Sequence, residues 1–290
     1  MPAPLKVLLD VAVFRLKKLE MANIPTAVAI MVALGLGWVD MGVRFCFGLL
    51  LNILAYLTND YYDVDQDLES PNKDHAKARY LKEHMRAAAG AQIGLAVFLG
   101  AVALAWSPDL IAALVTGGGI CWIYSWKLKR YPYVDVFAMI IWGITMPLVG
   151  LPLERALGWL LLGQAALFSA CFESIQIIRD YDEDAAKGVR TTAVRLGIPG
   201  TRILLYGFML VSAAYAALFI HRYVGLALFA CPLLPLDTKN VAAYWNRQRL
   251  VMGVALLALI GWIVWTGHTD GWLLSLDRGA IFRPFARFAR

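Results

Sequence analysis

Residues 87–106 read AAAGAQIGLAVFLGAVALAW, a run of twenty positions in which Gln92 is the one polar side chain. A helix that crosses the hydrocarbon core of a bilayer needs about 20 mainly apolar residues. In lipid the backbone must satisfy its own hydrogen bonds, so such a run is expected to be helical. This stretch therefore predicts a transmembrane helix.

The rest of the chain has the same character. Of its 290 residues, 60% are hydrophobic and 17% are charged, whereas soluble domains are roughly half apolar and a quarter charged. We therefore predict an all-α membrane protein. No linker or low-complexity segment divides the chain, which favours one polytopic domain over residues 1–290. Nine transmembrane helices are predicted, near residues 24–39, 43–60, 86–106, 109–126, 134–152, 157–178, 202–220, 223–236 and 250–267.

The basic residues test the alternation of these spans. With the N-terminus in the cytoplasm, 20 of the 27 Lys and Arg residues fall in cytoplasmic segments, as the positive-inside bias requires. The exception is the C-terminal tail, which is rich in arginine. Its last ten residues, IFRPFARFAR, mix aromatic and basic side chains, a pattern typical of a segment that lies at the membrane interface.

Nine of the 21 acidic residues fall in two short stretches. The first acidic motif, NDYYDVDQDLE, covers residues 59–69, and the second acidic motif, DYDED, covers residues 180–184. Each follows the cytoplasmic end of a predicted span, the second span and the sixth. Both motifs are therefore expected on the same side of the membrane.

The spacing of the aspartates indicates metal binding. Asp60, Asp63 and Asp67 stand at i, i+3 and i+7, so a continuing helix puts their carboxylates on one face. Asp180 and Asp184 are likewise one turn apart. Like charges at this spacing destabilise a helix by roughly 0.2–0.5 kcal/mol per pair, and a bound divalent cation would reverse that sign. Oxygen ligands without nearby His or Cys favour Mg²⁺ over zinc or copper.

Basic side chains lie close to both acidic motifs in sequence. Magnesium usually binds through a few carboxylates together with substrate phosphates. Acidic groups that hold a metal and basic groups that hold phosphate are the combination expected for a diphosphate leaving group. The basic candidates are Lys73, Lys77 and Arg79 after the first motif, Lys187 and Arg190 after the second, and Lys127, Lys129 and Arg130 in a separate segment.

Polar residues also lie inward from the two motifs. Asn52 precedes Asn59 by two helical turns, and Glu173 precedes Asp180 by the same distance. Ionisable residues inside apolar spans are usually functional, so Glu173 is expected to line an acceptor pocket or to tune a basic group there. A hydrogen-bonded packing role for Glu173 remains an open alternative.

Together the motifs resemble those of the UbiA-type intramembrane prenyltransferase superfamily. The first matches NDxxDxxxD through Asn59, Asp60, Asp63 and Asp67, and the second matches DxxxD through Asp180 and Asp184. The sequence around the second motif, IRDYDED followed by KG and TAVRLG, is especially similar to members that prenylate dihydroxynaphthoate. The segment YSWKLKR at 124–130 looks more like archaeal-type lipid prenyltransferases. The resemblance covers nearly the whole chain.

This resemblance implies a helical bundle around a central cavity, with Mg²⁺ between the aspartates and the diphosphate of a polyprenyl donor. Loss of diphosphate would give an allylic cation, which an aromatic quinone precursor or another lipophilic acceptor captures. The implied metal ligands are Asn59, Asp60, Asp63, Asp67, Asp180 and Asp184, the five aspartates being also the implied catalytic residues. The implied substrate-binding residues are Asn52, Asn59, Lys73, Arg79, Tyr124, Lys127, Lys129, Arg130, Glu173 and Lys187.

The remaining expectations concern location and alternatives. The expected membrane is the inner membrane of a bacterium or archaeon, with the site facing the cytoplasm, and nucleic acid is not an expected partner. Two departures are visible: residues 70–81 lack the Arg-Pro pair of many members, and Tyr124 is not followed by lysine at the fourth position. A non-catalytic transporter or ion-binding protein, and a CDP-alcohol phosphotransferase, are the alternative classes.

Overall fold

The computed structural model describes residues 1–17, 21, 23–69 and 74–278, and within them the regular structure is helical apart from two isolated bridges. Three 3₁₀ turns, Leu128–Arg130, Pro147–Gly150 and Cys231–Leu233, and a π-helical segment, Ala216–Ile220, connect the helices. The α-helices described there are α1 (Ala3–Lys17), α2 (Asn23–Leu34), α3 (Trp38–Glu69), α4 (His75–Glu83), α5 (Met85–Trp106), α6 (Asp109–Trp126), α7 (Val134–Thr145), α8 (Ala156–Arg179), α9 (Tyr181–Ala186), α10 (Thr192–Tyr215), α11 (Arg222–Leu228) and α12 (Val241–Thr266).

Six of the described helices are long and apolar enough to cross a membrane. They are α3, α5, α6, α8, α10 with the π-helical segment, and α12, and they contain 18 to 32 residues. Helix α5 contains the whole apolar run 87–106. Helix α3 continues past its apolar part and carries the first acidic motif to Glu69. The predicted all-α class is confirmed for the described residues.

The prediction of nine spans is only partly met, because α2, α7 and α11 are too short. They contain 12, 12 and 7 residues. At 1.5 Å per residue even the longer two reach about 18 Å, whereas the hydrocarbon core is about 30 Å thick. The predicted spans 24–39, 134–152 and 223–236 are therefore not single membrane-crossing helices.

Glycine and proline account for these breaks. Gly35 has φ +67°, a left-handed conformation that ends α2. The 3₁₀ turns after α7 and α11 contain Pro147 and Pro232, and proline lacks the N–H that an α-helix requires. Gly197, with φ 69°, likewise puts a kink into α10 ahead of Pro199.

Helix α8 packs closely against α7 and α10 along its first half and middle. A Cβ on Gly143 of α7 would overlap the Ser169 side chain of α8, so glycine permits the two helices to approach closely. The Ser169 hydroxyl donates a hydrogen bond of 2.7 Å to the Met139 carbonyl. On the other side of α8, the Gln164 side chain donates to the Ser212 hydroxyl of α10 at 2.6 Å.

A loop after α12 folds back onto the π-helical segment. The Asp270 N–H donates to the Ile220 carbonyl at 2.7 Å, and the Leu273 N–H donates to the Leu218 carbonyl at 2.8 Å. Gly271 lies so close that a Cβ there would overlap the Leu218 carbonyl. The loop thereby satisfies backbone acceptors that the π-helical segment leaves open at its end. The tail IFRPFARFAR lies outside the described residues.

Candidate active site

Asp60 of the first acidic motif is buried and held by two cations. Its side chain is 1% exposed. The Arg15 guanidinium of α1 contacts Oδ1 at 2.5 Å, and the Lys77 ammonium of α4 contacts Oδ2 at 2.7 Å. A buried carboxylate requires such partners, because an unpaired charge away from water is costly. Each oxygen of Asp60 therefore has its own cation.

Aromatic rings support these two cations. The Arg15 guanidinium lies 4.5 Å from the centre of the Tyr56 ring, and the Lys77 ammonium lies 4.2 Å from the centre of the Phe14 ring. Both are within the range of a cation–π interaction. Helices α1 and α4 are thus fixed against α3 at the first acidic motif.

The end of α6 and the turn after it contact the same motif. Lys129 forms an ion pair with Asp63. The Ser125 hydroxyl lies 3.4 Å from Oδ1 of Asn59, in hydrogen-bonding geometry. The segment 124–129 therefore runs along the face of α3 that carries the first motif.

The second acidic motif begins where α8 ends. Asp180 pairs with Arg179 at 2.7 Å and is half exposed. Asp184 lies in α9, where burial, and then the neighbouring Asp180 carboxylate, raise the pKa of its carboxyl to about 6. Lys187 is exposed and donates to Glu183 at 2.7 Å. Burial and a neighbouring carboxylate therefore disfavour the charged form of Asp184.

Glu173 lies two turns inside α8 and has only neutral hydrogen-bonding partners among the described residues. It is 4% exposed. The Gln176 amide donates to its Oε2 at 2.9 Å, and the Tyr124 hydroxyl lies 3.5 Å from its Oε1. Tyr124 thereby connects α6 to α8.

The two motifs converge around the end of α6. Tyr124 of α6 reaches Glu173 of α8, and Lys129, in the turn after α6, pairs with Asp63 of α3. The second motif begins at Asp180, seven residues after Glu173. Acidic groups separated by more than 100 positions in sequence thus lie at one end of the bundle.

Asp135 anchors the helices around the second motif. It is 1% exposed at the start of α7. Its Oδ2 accepts from the Thr192 N–H at 2.7 Å, and its Oδ1 accepts from the Thr192 hydroxyl and from the Val136 N–H. This carboxylate joins the first turn of α7 to the first turn of α10.

The other predicted substrate-binding residues occupy different places. Asn52 is buried in α3, and its amide donates to the Gly48 carbonyl at 2.9 Å. Lys127 is exposed over the Trp126 ring, and Arg79 is exposed on α4. Lys73 and the Arg130 side chain lie outside the described residues. The structure therefore brings Tyr124, Lys129 and Glu173 to the motifs, but not Lys127 or Arg79.

Arg15 and Asp135 were missed as site residues by sequence reasoning. Lys77 was predicted as one of the basic candidates after the first motif, but its ion pair with Asp60 was not. Asp135 is a lone acid at the start of an apolar run, a signal that points to function. Arg15 carries no such signal, because 45 positions separate it from Asp60.

The residues around the two motifs suit Mg²⁺ by their donor chemistry. Their side chains offer carboxylate and amide oxygens, the ligands that Mg²⁺ prefers. Within the described ranges, no three His, Cys, Asp or Glu side chains are close enough to form a metal site by themselves. Magnesium characteristically completes its shell with water and substrate phosphate, so a sparse protein ligand set fits this ion.

Two comparisons of sequence relate this chain to known proteins. A model of the UbiA prenyltransferase family matches residues 22–250. A lycopene elongase/hydratase from Halobacterium salinarum is 31% identical over 224 residues, which are 70% of this chain and 76% of that protein.

Solved structures share the fold. A structure of digeranylgeranylglyceryl phosphate synthase superposes with a TM-score of 0.67 at 14% identity, over 90% of this chain and 98% of the other. A UbiA homologue from Archaeoglobus fulgidus, bound to DMAPP and Mg²⁺, superposes with a TM-score of 0.59 at 16% identity, over 85% and 97% of the two chains.

Proposed function

This chain belongs to the UbiA prenyltransferase family, and we propose that it transfers an isoprenyl group from a polyprenyl diphosphate to a lipophilic acceptor inside the membrane. The observation that carries the proposal is that α6 and the turn after it contact both helices that bear the acidic motifs, through Tyr124 to Glu173 of α8 and through Lys129 to Asp63 of α3. A diphosphate needs countercharge on several sides when it leaves. One acidic motif alone would not surround it.

Magnesium would be held by Asn59, Asp60, Asp63 and Asp67 together with Asp180 and Asp184. When bound, the metal supplies positive charge opposite the departing diphosphate. The Archaeoglobus homologue, solved with DMAPP and Mg²⁺, supports this assignment. Lys129 and Lys77, which contact Asp63 and Asp60, supply further positive charge at the same end of the bundle.

Glu173 would serve the acceptor side of the reaction. Addition of an allylic cation to a neutral acceptor leaves a positive charge, which is discharged as a proton. Glu173 has no ion-pair partner among the described residues and lies two turns deeper than Asp180. We assign it, with Tyr124, to hold the polar part of the acceptor and to receive that proton.

The acceptor class follows from the family only in outline. The relatives named above are a lycopene elongase/hydratase and a digeranylgeranylglyceryl phosphate synthase, and their names share lipophilic molecules. Quinone-precursor aromatics are the first acceptors to test, because the second acidic motif resembles that of dihydroxynaphthoate prenyltransferases. Glycerol lipids are the second.

The proposed topology completes the six long helices with the three short ones. Helices α2, α7 with its 3₁₀ turn, and α11 with its 3₁₀ turn are apolar and would cross with their flanking segments around a central chamber for the prenyl chain. The N-terminus and both acidic motifs would face the cytoplasm of a bacterium or archaeon. Accessibility of single cysteines at the helix ends in sealed vesicles measures this arrangement.

The activity test uses the purified full chain in liposomes. It is incubated with Mg²⁺, a panel of prenyl diphosphates and each acceptor class, and products are identified by mass spectrometry. We expect Mg²⁺-dependent formation of a prenylated product. The variant Asp63→Asn should abolish it, because this carboxylate is a proposed metal ligand.

Asp65→Asn is the matched control. Asp65 lies on the same helix, is 72% exposed and pairs only with Lys82 among the described residues. It should retain activity. Equal turnover of the Asp63→Asn and Asp65→Asn enzymes would contradict the metal assignment, and absence of any prenylated product with every donor and acceptor would contradict the function.

A further inference from the structure

Helix α1 has an apolar face that no other described residue covers. Leu5, Leu9, Val13 and Leu16 are 44–53% exposed. At 3.6 residues per turn these four side chains fall within an arc about 80° wide. Val7 and Val11, which are buried against α3, α4 and α5, lie on the opposite side of the same helix.

Three of the four charged side chains of α1, those of Lys6, Asp10 and Lys17, lie between these two faces, on the side of α4. Lys6 pairs with Asp10 and stacks over the Tyr80 ring of α4 at 4.0 Å. Lys17 is exposed on the same flank. The other flank turns towards α5, where Leu8 packs with the core. An exposed apolar face bounded on one flank by charge is the pattern of a helix lying in a membrane interface.

The position of α1 in the bundle agrees with that pattern. The buried residues beneath it, such as Leu57, Val64 and Ala88, lie near the end of α3 and the start of α5. Farther along α5, Ile93, Val97 and Phe98 are exposed by more than half on a helix apolar enough to face lipid. The outward face of α1 therefore continues a lipid-facing surface.

Helix α1 also reaches the first acidic motif. Arg15, one residue before Leu16, contacts the buried Asp60 at 2.5 Å and is itself 11% exposed. The helix lies outside residues 22–250, which match the family model. A segment beyond the matched region thus holds one of the proposed metal ligands.

We propose that α1 is an interfacial arm: its outward face lies among lipid acyl chains, and this docking holds Arg15 on Asp60. Arg15 is a positioning residue, because it acts through Asp60. The second half of the proposal rests on the proposed function, since it needs Asp60 at the site. The first half does not depend on any activity.

The depth of α1 is measured by spin labelling in liposomes. Cys46 is the exposed one of the four cysteines, so Cys46→Ser provides the background. Nitroxides are placed at Leu9→Cys and, as the matched control, at Lys17→Cys. We expect the nitroxide at position 9 to collide mainly with molecular oxygen. The nitroxide at position 17 should collide mainly with a water-soluble nickel chelate. Equal nickel access at both positions, or dipolar broadening from a second copy at position 9, would overturn lipid as the partner.

The coupling between the docking of α1 and the position of Arg15 is tested with the double variant Leu9→Gln/Leu16→Gln. Lys17→Gln is its matched control. The double variant should raise amide hydrogen exchange across residues 3–17 and lower kcat/KM, while Lys17→Gln should change neither. Arg15→Ala should lower kcat/KM about a hundredfold, as small misplacements of a site group do, and Arg15→Lys should recover part of it. Unchanged exchange in the double variant, or full activity of Arg15→Ala, would overturn the coupling.

These measurements separate the two proposals. Spin-label depth and amide exchange report on α1 even if no prenylated product forms. If the wild-type protein forms no prenylated product but shows the expected spin-label depth and amide exchange in α1, the proposed function is contradicted. The docking of α1 in lipid would still stand.

Discussion

At the scale of single residues, the buried charges are matched by partners from distant parts of the chain. Arg44, 3% exposed, contacts Asp40 at 2.9 Å and the Val149 carbonyl at 3.1 Å. The spacing of the aspartates was predictable, because it is a local property of one helix. The cations that pair with these aspartates were not predictable, because Arg15 and Lys129 reach Asp60 and Asp63 only through tertiary packing.

Asp135→Asn should destabilise the protein by about 1–3 kcal/mol. Both oxygens of Asp135 accept hydrogen bonds from donors on Thr192 and Val136, so an amide N–H₂ in place of one oxygen would face a donor. Thermal unfolding in detergent measures this. The exposed Asp182→Asn is the control, and a loss of stability as large in the control would show that burial of Asp135 is not the cause.

Glu173→Gln should reduce prenyl transfer by roughly 10²–10⁴-fold while leaving Mg²⁺-dependent donor binding intact. The amide keeps the shape of the side chain but cannot take up a proton. Calorimetry of donor binding and mass spectrometry of products separate the two effects. Ser174→Ala, on the same helix and bonded to the Ala170 carbonyl, should retain transfer; wild-type turnover by Glu173→Gln would assign proton uptake to another group.

At the scale of helices, the apolar runs were predictable from the sequence. The points at which three of these runs break into shorter helices were not. The run 87–106 became α5 almost unchanged, because no proline lies within it and the helix has its C-cap at Ser107, the residue before Pro108. The run 134–152 contains Pro147 and splits into α7 and a 3₁₀ turn. Hydropathy measures how apolar the side chains are. Helix length depends also on whether each backbone N–H is present to donate its hydrogen bond, and proline has none.

Gly271→Ala should destabilise the protein by roughly 1–3 kcal/mol, the usual cost of forcing atoms into a filled space. A Cβ at this position would overlap the Leu218 carbonyl and push the loop from the π-helical segment. Gly253→Ala in α12 is the control, because no atom lies within 4 Å of its Cβ. The midpoint of thermal unfolding should be well below that of Gly253→Ala for the variant Gly271→Ala. Equal midpoints would mean that the loop adjusts freely to the added methyl group.

At the scale of the whole molecule, the side of the membrane shared by both motifs was inferred from the alternation of nine spans. Six helices qualify by length and composition, yet α6 and the turn after it contact both α8 and α3, through Tyr124 and Lys129. This arrangement depends on the packing of α6 against α3 and α7, and of α7 against α8, and not on the span count. The sequence contains no local pattern that specifies this packing.

Mg²⁺ with a prenyl diphosphate should stabilise the folded protein, by about 2.7 kcal/mol at a ligand concentration of 100 Kd. Bound cations relieve the crowding of carboxylates around Asp63 and Asp184. A thermal shift assay measures this, and chelation with EDTA should reverse it. Asp184→Asn should lose most of the shift and Asp182→Asn should keep it; an identical shift in both would place the ligand elsewhere.

The loop after α12 has a consequence for biogenesis. The carbonyls of Ala217, Leu218 and Ile220 accept hydrogen bonds from N–H groups of residues 270–273, which lie about 50 positions later in the chain. During synthesis this corner of the bundle therefore stays incomplete until residues 270–273 have been made, and a chain truncated before Asp270 would leave these carbonyls without those donors.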